Sequence, residues 1–446
     1  MTLPAAQSEE GLPPVDQIPP KHDPYAAFRH RPYVLFVSSF VLAAIAQQMI
    51  STTVALQIYA RTGSPLDLGL VGGIQALPIL LLALPAGQVA DTYSRRRVVM
   101  LMQLVMLAGS SALAVLAIKG SLNLPLIYSI LLINASAATF QRPARSAMMP
   151  ALVPKAEFTN AVTWNSTLFE TCNALGPTAA GLIIAFGGAS WTLLIAVAAL
   201  LISLCFTVML PDIRPQGPAP ARSLDALLTG VKFAFRTKLM LAAMTLDLFA
   251  VLLGGAVYLL PVFAQQLGWG EVGYGFLKAA PSIGAIAMAI GIAHLPPFRR
   301  AGRTMLIAVG VFGAATIVFG LSNSFLLSFA MLVICGMADN ISVVIRHTLV
   351  QTLTPDSMRG RVSAVNQIFI GSSNEIGGLE SGVTAWMFGA VRSVVGGGIG
   401  TIAVVLAVAA KYPQMRSLGA LKDVQPELLD LPELQKMSGS DGTKIQ

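Results

Sequence analysis

Charged residues are scarce in this chain, and their scarcity excludes a soluble fold. They make up 11% of the 446 residues, whereas hydrophobic residues make up 55% and the mean hydropathy is +0.71. A soluble domain carries about 25% charged residues. The net charge of +8 does not indicate a nucleic-acid partner, because the basic residues lie in short segments between apolar runs and no nucleic-acid-binding motif accompanies them. The composition predicts a polytopic protein whose surroundings are the lipid bilayer.

Cysteine, histidine and the common catalytic motifs are equally sparse. The three cysteines, Cys172, Cys205 and Cys335, fall in apolar segments without paired spacing, which favours small apolar helix residues over disulfides or metal ligands. No histidine lies in the middle of an apolar segment. The sequence has no Gly-x-x-x-x-Gly-Lys-Ser/Thr loop for ATP and no His-Glu-x-x-His motif. We therefore expect neither an enzyme nor an ATP-driven pump, and no cofactor or metal.

Apolar segments of about 20 residues are what the chain has in abundance. Because backbone groups in lipid must be hydrogen bonded within their own segment, each is expected to be an α-helix. Twelve spans are predicted, at residues 33–57, 66–90, 98–118, 124–140, 161–186, 191–210, 239–263, 272–293, 304–321, 325–345, 362–388 and 393–410. The predicted fold class is an all-α membrane protein with twelve transmembrane helices.

The distribution of lysine and arginine predicts the orientation. With a cytoplasmic N-terminus, the even-numbered loops and both tails hold every lysine and arginine except Arg61, Lys119, Lys278 and Arg392. Positive residues accumulate on the cytoplasmic side, so both termini are predicted to be cytoplasmic. The N-terminal segment is polar and proline-rich, unlike a cleavable signal peptide, and the first span is expected to direct insertion. The sequence carries no eukaryotic targeting signal, which agrees with the bacterial inner membrane as the expected location.

A linker divides the spans into two sets of six. It begins with a proline-rich polar sequence, which marks a loop, and continues as SLDALLTGVKFAFRTK, whose apolar residues recur at helical spacing. This second part predicts an amphipathic helix on the inner membrane surface. The predicted domains are a cytoplasmic tail at 1–32, a six-helix half at 33–210, the linker at 211–238, a second six-helix half at 239–410 and a tail at 411–446.

The two halves are similar to each other in sequence. At an offset of 203 residues Pro78 aligns with Pro281, and at an offset of 201 residues Asn165 aligns with Asn366. Polar residues match as well as small ones, which chance matching among glycine-rich segments does not explain. Two halves in the same orientation predict a pseudo-twofold axis along the membrane normal, the parallel repeat of one class of transporters.

The charged turn between the second and third spans carries a motif. The segment GQVADTYSRRR follows the order Gly-x-x-x-Asp-x-x-x-Arg-Arg. A plain positive loop accounts for the arginines but not for a glycine and an aspartate at this spacing. The motif resembles the signature of the major facilitator superfamily, Gly-x-x-x-Asp-Arg-x-Gly-Arg-Arg, from which Thr92 and Ser94 depart. The resemblance implies a conformational-switch motif made of Gly87, Asp91, Arg95, Arg96 and Arg97.

Two longer segments indicate which branch of the superfamily the chain resembles. Residues 145–183 and 346–382 are similar to the corresponding segments of the enterobactin exporter-like branch, also called transmembrane secretion effectors. Within the first, the sequence GPTAAG resembles the antiporter motif of the superfamily, although its usual final Gly-Gly is incomplete. The residues of this antiporter-like motif are Gly176, Pro177 and Gly181. The resemblance implies export driven by the proton gradient.

Ionisable residues inside the predicted spans are few, and each costs about 2.5–3.5 kcal/mol or more in lipid. The candidates for proton coupling are Glu170, Asp247, Asp339 and Glu375. At 1.5 Å per residue, Glu170 lies about 15 Å into the fifth span and Asp247 about 12 Å into the seventh. A fixed hydrogen bond to a neighbouring helix is the alternative role for either residue.

The first span has a polar stripe where many drug:proton antiporters place an acid. The absence of that acid moves the expected proton site to Glu170 and Asp247. A polar stripe on an apolar helix is expected to face a cavity rather than lipid. Lys278 either meets an anionic or catechol-like substrate there or extends to the outer interface. The candidates for the substrate cavity are Gln47, Gln48, Ser51, Thr52, Gln75 and Lys278.

Basic residues at the cytoplasmic ends of the spans are candidates for an inner gate. Asp91 can pair with basic residues or helix dipoles when the cytoplasmic side closes, so that gate closure competes with substrate binding. The inner-gate candidates are Arg145, Arg346, Arg359 and Arg361. The alternative is that these arginines only set the topology.

Taken with the resemblance, these features predict a secondary active transporter. The predicted activity is proton-driven antiport that exports a siderophore or another small amphipathic molecule or drug by alternating access. An uptake symporter on the same fold is the first alternative. A non-transporting sensor or scaffold is the second, and the intramembrane acids and the repeat argue against it. A monomer is the expected state.

Overall fold

The computed structural model of the protein describes residues 23–214, 224–254, 256–296, 298–355 and 358–421, with the side chains of 224–227 left out. Within these ranges the chain forms helices and short connections and contains no β-strand. Most of the predicted tails, at 1–22 and 422–446, and the proline-rich part of the linker, at 215–223, lie outside the described residues. The predicted all-helical fold is confirmed.

Five helices build the first half. They are α1 (Arg31–Thr62), α2 (Pro65–Thr92), α3 (Arg95–Ile118), α4 (Leu124–Met148) and α5 (Phe158–Val208). Local sequence explains three of the starts, because the side chains of Ser64, Ser94 and Asn123 each accept a hydrogen bond from the backbone amide three residues later. Proline in the first turn of α1, α2 and α4 favours the same starts.

Gly188 breaks α5 into two segments. Its backbone has φ 82° and ψ 171°, a conformation that glycine adopts without strain because it lacks a Cβ. The Tyr33 hydroxyl donates to the Ala161 carbonyl at 3.0 Å, and the Ser39 and Thr207 hydroxyls lie 2.7 Å apart. Both ends of α5 therefore lie beside the start of α1, so the chain reverses at Gly188, between the predicted fifth and sixth spans.

Nine more α-helices follow in the part of the chain described from residue 224 to residue 421, the first in the linker and the last after the second half. They are α6 (Leu224–Arg236), α7 (Lys238–Leu253), α8 (Leu260–Gln266), α9 (Gly270–His294), α10 (Ala301–Leu321), α11 (Phe325–Leu353), α12 (Arg359–Phe388), α13 (Ala390–Lys411) and α14 (Pro413–Ser417). A 3₁₀ turn at Ala256–Leu259 joins α7 to α8, so the predicted seventh span is bent. The predicted amphipathic helix corresponds to α6, whose Phe233 is fully buried.

Ten helical stretches among the described residues are long and apolar enough to cross a membrane. One is the α5 pair, and another runs from α7 through α8. The 30-residue α12 is not one of the ten, and it carries Arg359, Arg361, Glu375 and Glu380. Large apolar side chains such as Leu326 are exposed on the outside of the bundle, as lipid contact requires. The number of twelve spans stays a prediction.

The buried apolar residues show how the halves meet. We call the end of the bundle at the α1–α2 turn the outer end and the opposite end the inner end. One core contains residues of both halves at the outer end, including Ile58 and Leu277. At the inner end each half has a core of its own, which contains Tyr33 in the first half and Met240 in the second. Among the described residues, the halves therefore share a hydrophobic core only at the outer end.

Glycines allow the backbones of the two halves to touch in two places. We call these contacts, between α2 and α12 and between α5 and α9, the glycine seams. A Cβ added to Gly69 on α2 would lie 2.6 Å from the Cα of Gly382 on α12. One added to Gly181 on α5 would lie 3.0 Å from the Cα of Gly275 on α9. Only glycine permits this approach, and small residues are the usual means of close helix packing in membranes. Gly176, also in the predicted antiporter-like motif, allows α5 to pack closely against the Gln48 side chain of α1 within the first half.

Candidate functional site

A cavity of about 230 Å³ lies between the halves, near the middle of the helices that line it. Four predicted cavity residues and one predicted coupling acid line it: Gln47, Gln48, Ser51, Gln75 and Glu375. Its wall also includes polar residues that the sequence analysis did not single out: Asn134, Thr139, Arg142 and Tyr258. The first three interrupt the apolar sequence of α4, which is the signal that could have identified them.

Glu375 is held in the cavity wall by a tyrosine. The hydroxyl of Tyr258, in the turn between α7 and α8, donates to the carboxylate of Glu375. Gly378 makes room for this contact, because a Cβ there would lie 2.4 Å from the Tyr258 ring. Arg142 and Lys278 lie close enough to Glu375 for their charges to act on it. The carboxylate thus faces cations from both halves.

Lys278 connects the halves beside the cavity. Its ammonium group donates to the hydroxyls of Ser51 at 3.0 Å and Thr52 at 3.2 Å, and lies 5.8 Å from the centre of the Tyr274 ring. The residue is about 12 Å from the start of α9 at 1.5 Å per residue. The side chain is therefore directed toward α1 rather than toward the outer interface.

Glu170 belongs to a polar chain that also crosses between the halves. Its carboxylate is hydrogen bonded to Ser282 on α9 and to Asn173 on α5. Gln48 on α1 donates to Asn173 Oδ1 at 2.6 Å. Asn173 and Ser282 were not candidates, although both are polar residues within apolar helices. Glu170 therefore has one partner on α9 and one on its own helix, and Asn173 extends the chain to α1.

Asp247 and Arg346 form an ion pair between α7 and α11. The guanidinium donates to the carboxylate, and only 3% of the arginine side chain and 8% of the aspartate side chain are exposed. Asp339, two turns earlier on α11, is exposed, and its charge interacts with this pair and with Glu170 of the first half. Asp339 therefore faces the space between the halves. Asp247, a predicted coupling acid, and Arg346, a predicted gate arginine, are therefore partners within the second half.

Of the other inner-gate candidates, Arg145 contacts its own half. The guanidinium of Arg145 on α4 stacks over the ring of Phe40 on α1, 5.2 Å from its centre. Arg359 is exposed and Arg361 half-buried in the first turn of α12. An inner gate that includes them stays a prediction.

The motif after α2 joins helix ends of the first half. Gly87 is buried and Asp91 half-buried on the last turns of α2. Arg95 donates to the carbonyl of Ala147 at 2.7 Å, near the end of α4. Nearby, Ser94 donates to Asp212, and this hydrogen bond, with the charge of Arg214, holds the pKa of that exposed carboxyl below its usual value. Cations that bind the last carbonyls of helices stabilise those helix ends.

Arg96 likewise binds backbone carbonyls at the end of α5, and its replacement tests whether this contact stabilises the protein. It donates to the carbonyls of Leu210 at 2.7 Å and Val208 at 3.3 Å. We expect Arg96→Ala to lower stability by about 1.5–3 kcal/mol, the contribution of a hydrogen bond to a charged group, as measured by thermal unfolding in detergent. The control is Arg97→Ala, which removes an exposed neighbour. Equal midpoints for the two variants would contradict the assignment.

Solved structures of known transporters share this fold. A POT family transporter in complex with 5-aminolevulinic acid aligns with a TM-score of 0.70 and 12% identity, covering 86% of this chain and 97% of that one. A bacterial homologue of the human lysosomal transporter Spinster, inward-facing and unoccupied, aligns with a TM-score of 0.65 and 13% identity, covering 89% and 99%. At these identities the likeness shows the fold alone.

Sequence comparison is more specific. The enterobactin exporter EntS of Escherichia coli O1:K1 is 26% identical over 342 residues, which are 76% of this chain and 81% of that protein. The same protein of Shigella boydii serotype 18 matches equally. The family model described as transmembrane secretion effector matches residues 22–444. The chain therefore belongs to the transmembrane secretion effector family of major facilitator transporters.

Proposed function

We propose that this secondary transporter is a proton-driven antiporter that exports a siderophore or another small amphipathic molecule or drug from the cytoplasm. The observation that carries the proposal is the polar, charged cavity between two halves that share a core only at the outer end. Alternating access requires a central site and halves that separate at one end at a time. The similarity to the enterobactin exporter supports the direction and the substrate class.

The seams support twelve spans in two related halves. At the offset of 201 residues Gly181 corresponds to Gly382, and at 203 residues Gly72 corresponds to Gly275. The repeat therefore exchanges the α5–α9 seam with the α2–α12 seam, as a pseudo-twofold axis between the halves would. A count of twelve follows when the α5 pair is taken as two spans and α12 as one.

The proposed orientation has both termini in the cytoplasm of a bacterium and the inner end open to it. Each half has a complete core at its inner end, so a monomer suffices for alternating access in this proposal. In the state described, the outer end is closed by the glycine seams, and substrate would enter from the cytoplasm.

We assign proton coupling to Asp339. It faces the space between the halves, whereas Asp247 is held by Arg346 and Glu170 by two hydrogen bonds. A proton on Asp339 removes one of the two carboxylate charges beside Arg346 and changes the charge of this cluster. Such a change biases the equilibrium between conformations without contact with the substrate.

The experiment is transport in proteoliposomes with an imposed pH gradient, using a panel of siderophores and cationic drugs. We expect gradient-driven transport by the intact protein. Asp339→Asn is expected to lose the dependence on the gradient while exchange of substrate across the membrane continues. Glu170→Gln is the matched control, because it removes another intramembrane carboxylate and keeps Asp339 and the Asp247–Arg346 ion pair. If the substrate instead moves across the membrane in the same direction as the protons, the protein is an uptake symporter.

A further inference from the structure

We propose that the cavity binds an anionic oxygen group of its substrate, such as a carboxylate or an ionised catechol, and that Arg142 is the residue that holds it. This inference rests on the proposed transport function for its physiological meaning, but binding can be tested without transport. Arg142 lies on α4, about 9 Å before the end of the helix at 1.5 Å per residue, and its side chain lines the cavity.

Arg142 differs from the other charged groups around the cavity. Lys278 donates to two hydroxyls, and Glu375 accepts from Tyr258. The guanidinium of Arg142 forms no hydrogen bond or ion pair with any other residue that the structure describes, and the side chain is exposed to the cavity. An ionised side chain within a membrane protein normally marks a binding site or pathway. Its five unused donors are therefore available to a ligand.

The charge balance of the cavity favours an anion. Two cations, Arg142 and Lys278, act on one carboxylate, Glu375. With all three ionised, the cluster formed by Arg142 and Glu375 in the cavity wall and Lys278 beside it carries one excess positive charge. An anionic ligand removes that excess, whereas a cationic ligand adds to it, and like charges at short range discriminate strongly.

Hydrogen-bonding groups around Arg142 fit a ligand with several oxygen atoms. The planar fork of a guanidinium binds a carboxylate or a similar oxyanion through two parallel hydrogen bonds. The amide side chains of Gln47 and Gln75 line the same cavity and are only partly buried. These amides are suited to hydroxyl or carbonyl groups beside the anion, a pattern that a hydroxylated aromatic acid offers.

The test compares two probes of equal size and different charge. Salicylate carries a carboxylate, and salicylamide replaces it with a neutral amide. Binding to the purified full-length protein in nanodiscs, measured by isothermal titration calorimetry, is expected to favour salicylate by about tenfold or more, which corresponds to about 1.4 kcal/mol. Arg142→Gln is expected to abolish this preference, and Arg142→Lys, which keeps the charge but not the fork, to retain part of it.

The control is Arg392→Gln, the same substitution at an exposed position in the first turn of α13, away from the cavity. It is expected to leave the preference for salicylate unchanged. Equal binding of the two probes by the unaltered protein, or an unchanged preference in Arg142→Gln, would overturn the inference. If Arg142→Gln loses the preference and the unaltered protein shows no gradient-driven transport, the anion site is supported and the proposed antiport is refuted.

Discussion

Replacement of Arg346 by alanine is expected to destabilise the protein by about 3–5 kcal/mol, the usual effect of removing one partner of a buried ion pair. The reason is that Asp247, with 8% of its side chain exposed, would remain between α7 and α11 without its cation. The measurement is the unfolding free energy in detergent, followed by circular dichroism with increasing denaturant. We expect the unfolding midpoint to fall without a change in the helical content of the folded state.

A double variant separates the ion pair from the rest of the arginine. Arg346→Ala with Asp247→Asn removes both charges, so most of the lost stability is expected to return. Asp247→Asn alone leaves the arginine unpaired and is expected to be nearly as unstable as Arg346→Ala. If the double variant is as unstable as the sum of the single ones, the two residues do not act as a pair.

Gly382→Ala is expected to slow transport by about 5- to 150-fold, because overpacking of a tight contact costs about 1–3 kcal/mol. The added methyl group would lie 2.4 Å from the Cα and 2.8 Å from the backbone nitrogen of Gly69. No rotation of a side chain can relieve a contact with backbone atoms, so the outer end could not close as described. The measurement is the initial transport rate in proteoliposomes, normalised to the amount of inserted protein.

Gly396→Ala is the matched control for this prediction. Gly396 is also a helical glycine in the second half, but a Cβ there would meet no atom within 4 Å. Its substitution is therefore expected to leave the rate near that of the unaltered protein. Equal rates for the two variants would show that the α2–α12 seam does not limit the transport cycle.

The sequence predicts those parts of the fold that depend on local pattern. Apolar runs predict the helices, and the short glycine-containing sequence around Gly188 separates the fifth span from the sixth, although only one residue breaks the helix there. The Lys/Arg distribution predicts the orientation of the spans, and the repeat predicts that the two sets of six are related. The bend in the seventh span at Ala256–Leu259 was not predicted, although Gly254 and Gly255 directly precede it and a Gly-Gly pair favours a turn.

Contacts between distant helices limit what the sequence predicts about the site. Asp247 and Arg346 are 99 residues apart, and nothing in either segment identifies the other as its partner. Lys278 has two ways to satisfy its charge, and only the position of α1 decides between them. Arg142 lies close in sequence to Arg145, after the predicted fourth span, where basic residues are typical topology signals, although its side chain lines the cavity.

The glycine seams also bear on how readily the carrier can change state. A contact between glycines such as Gly69 and Gly382 interlocks no side chains, so its separation requires no change of rotamer and exposes little apolar area. The activation barrier for parting the outer end should therefore come mainly from the shared core around Ile58 and Leu277. Because a seam of this kind opens and recloses in the same register, the carrier can cycle many times without repacking its helices.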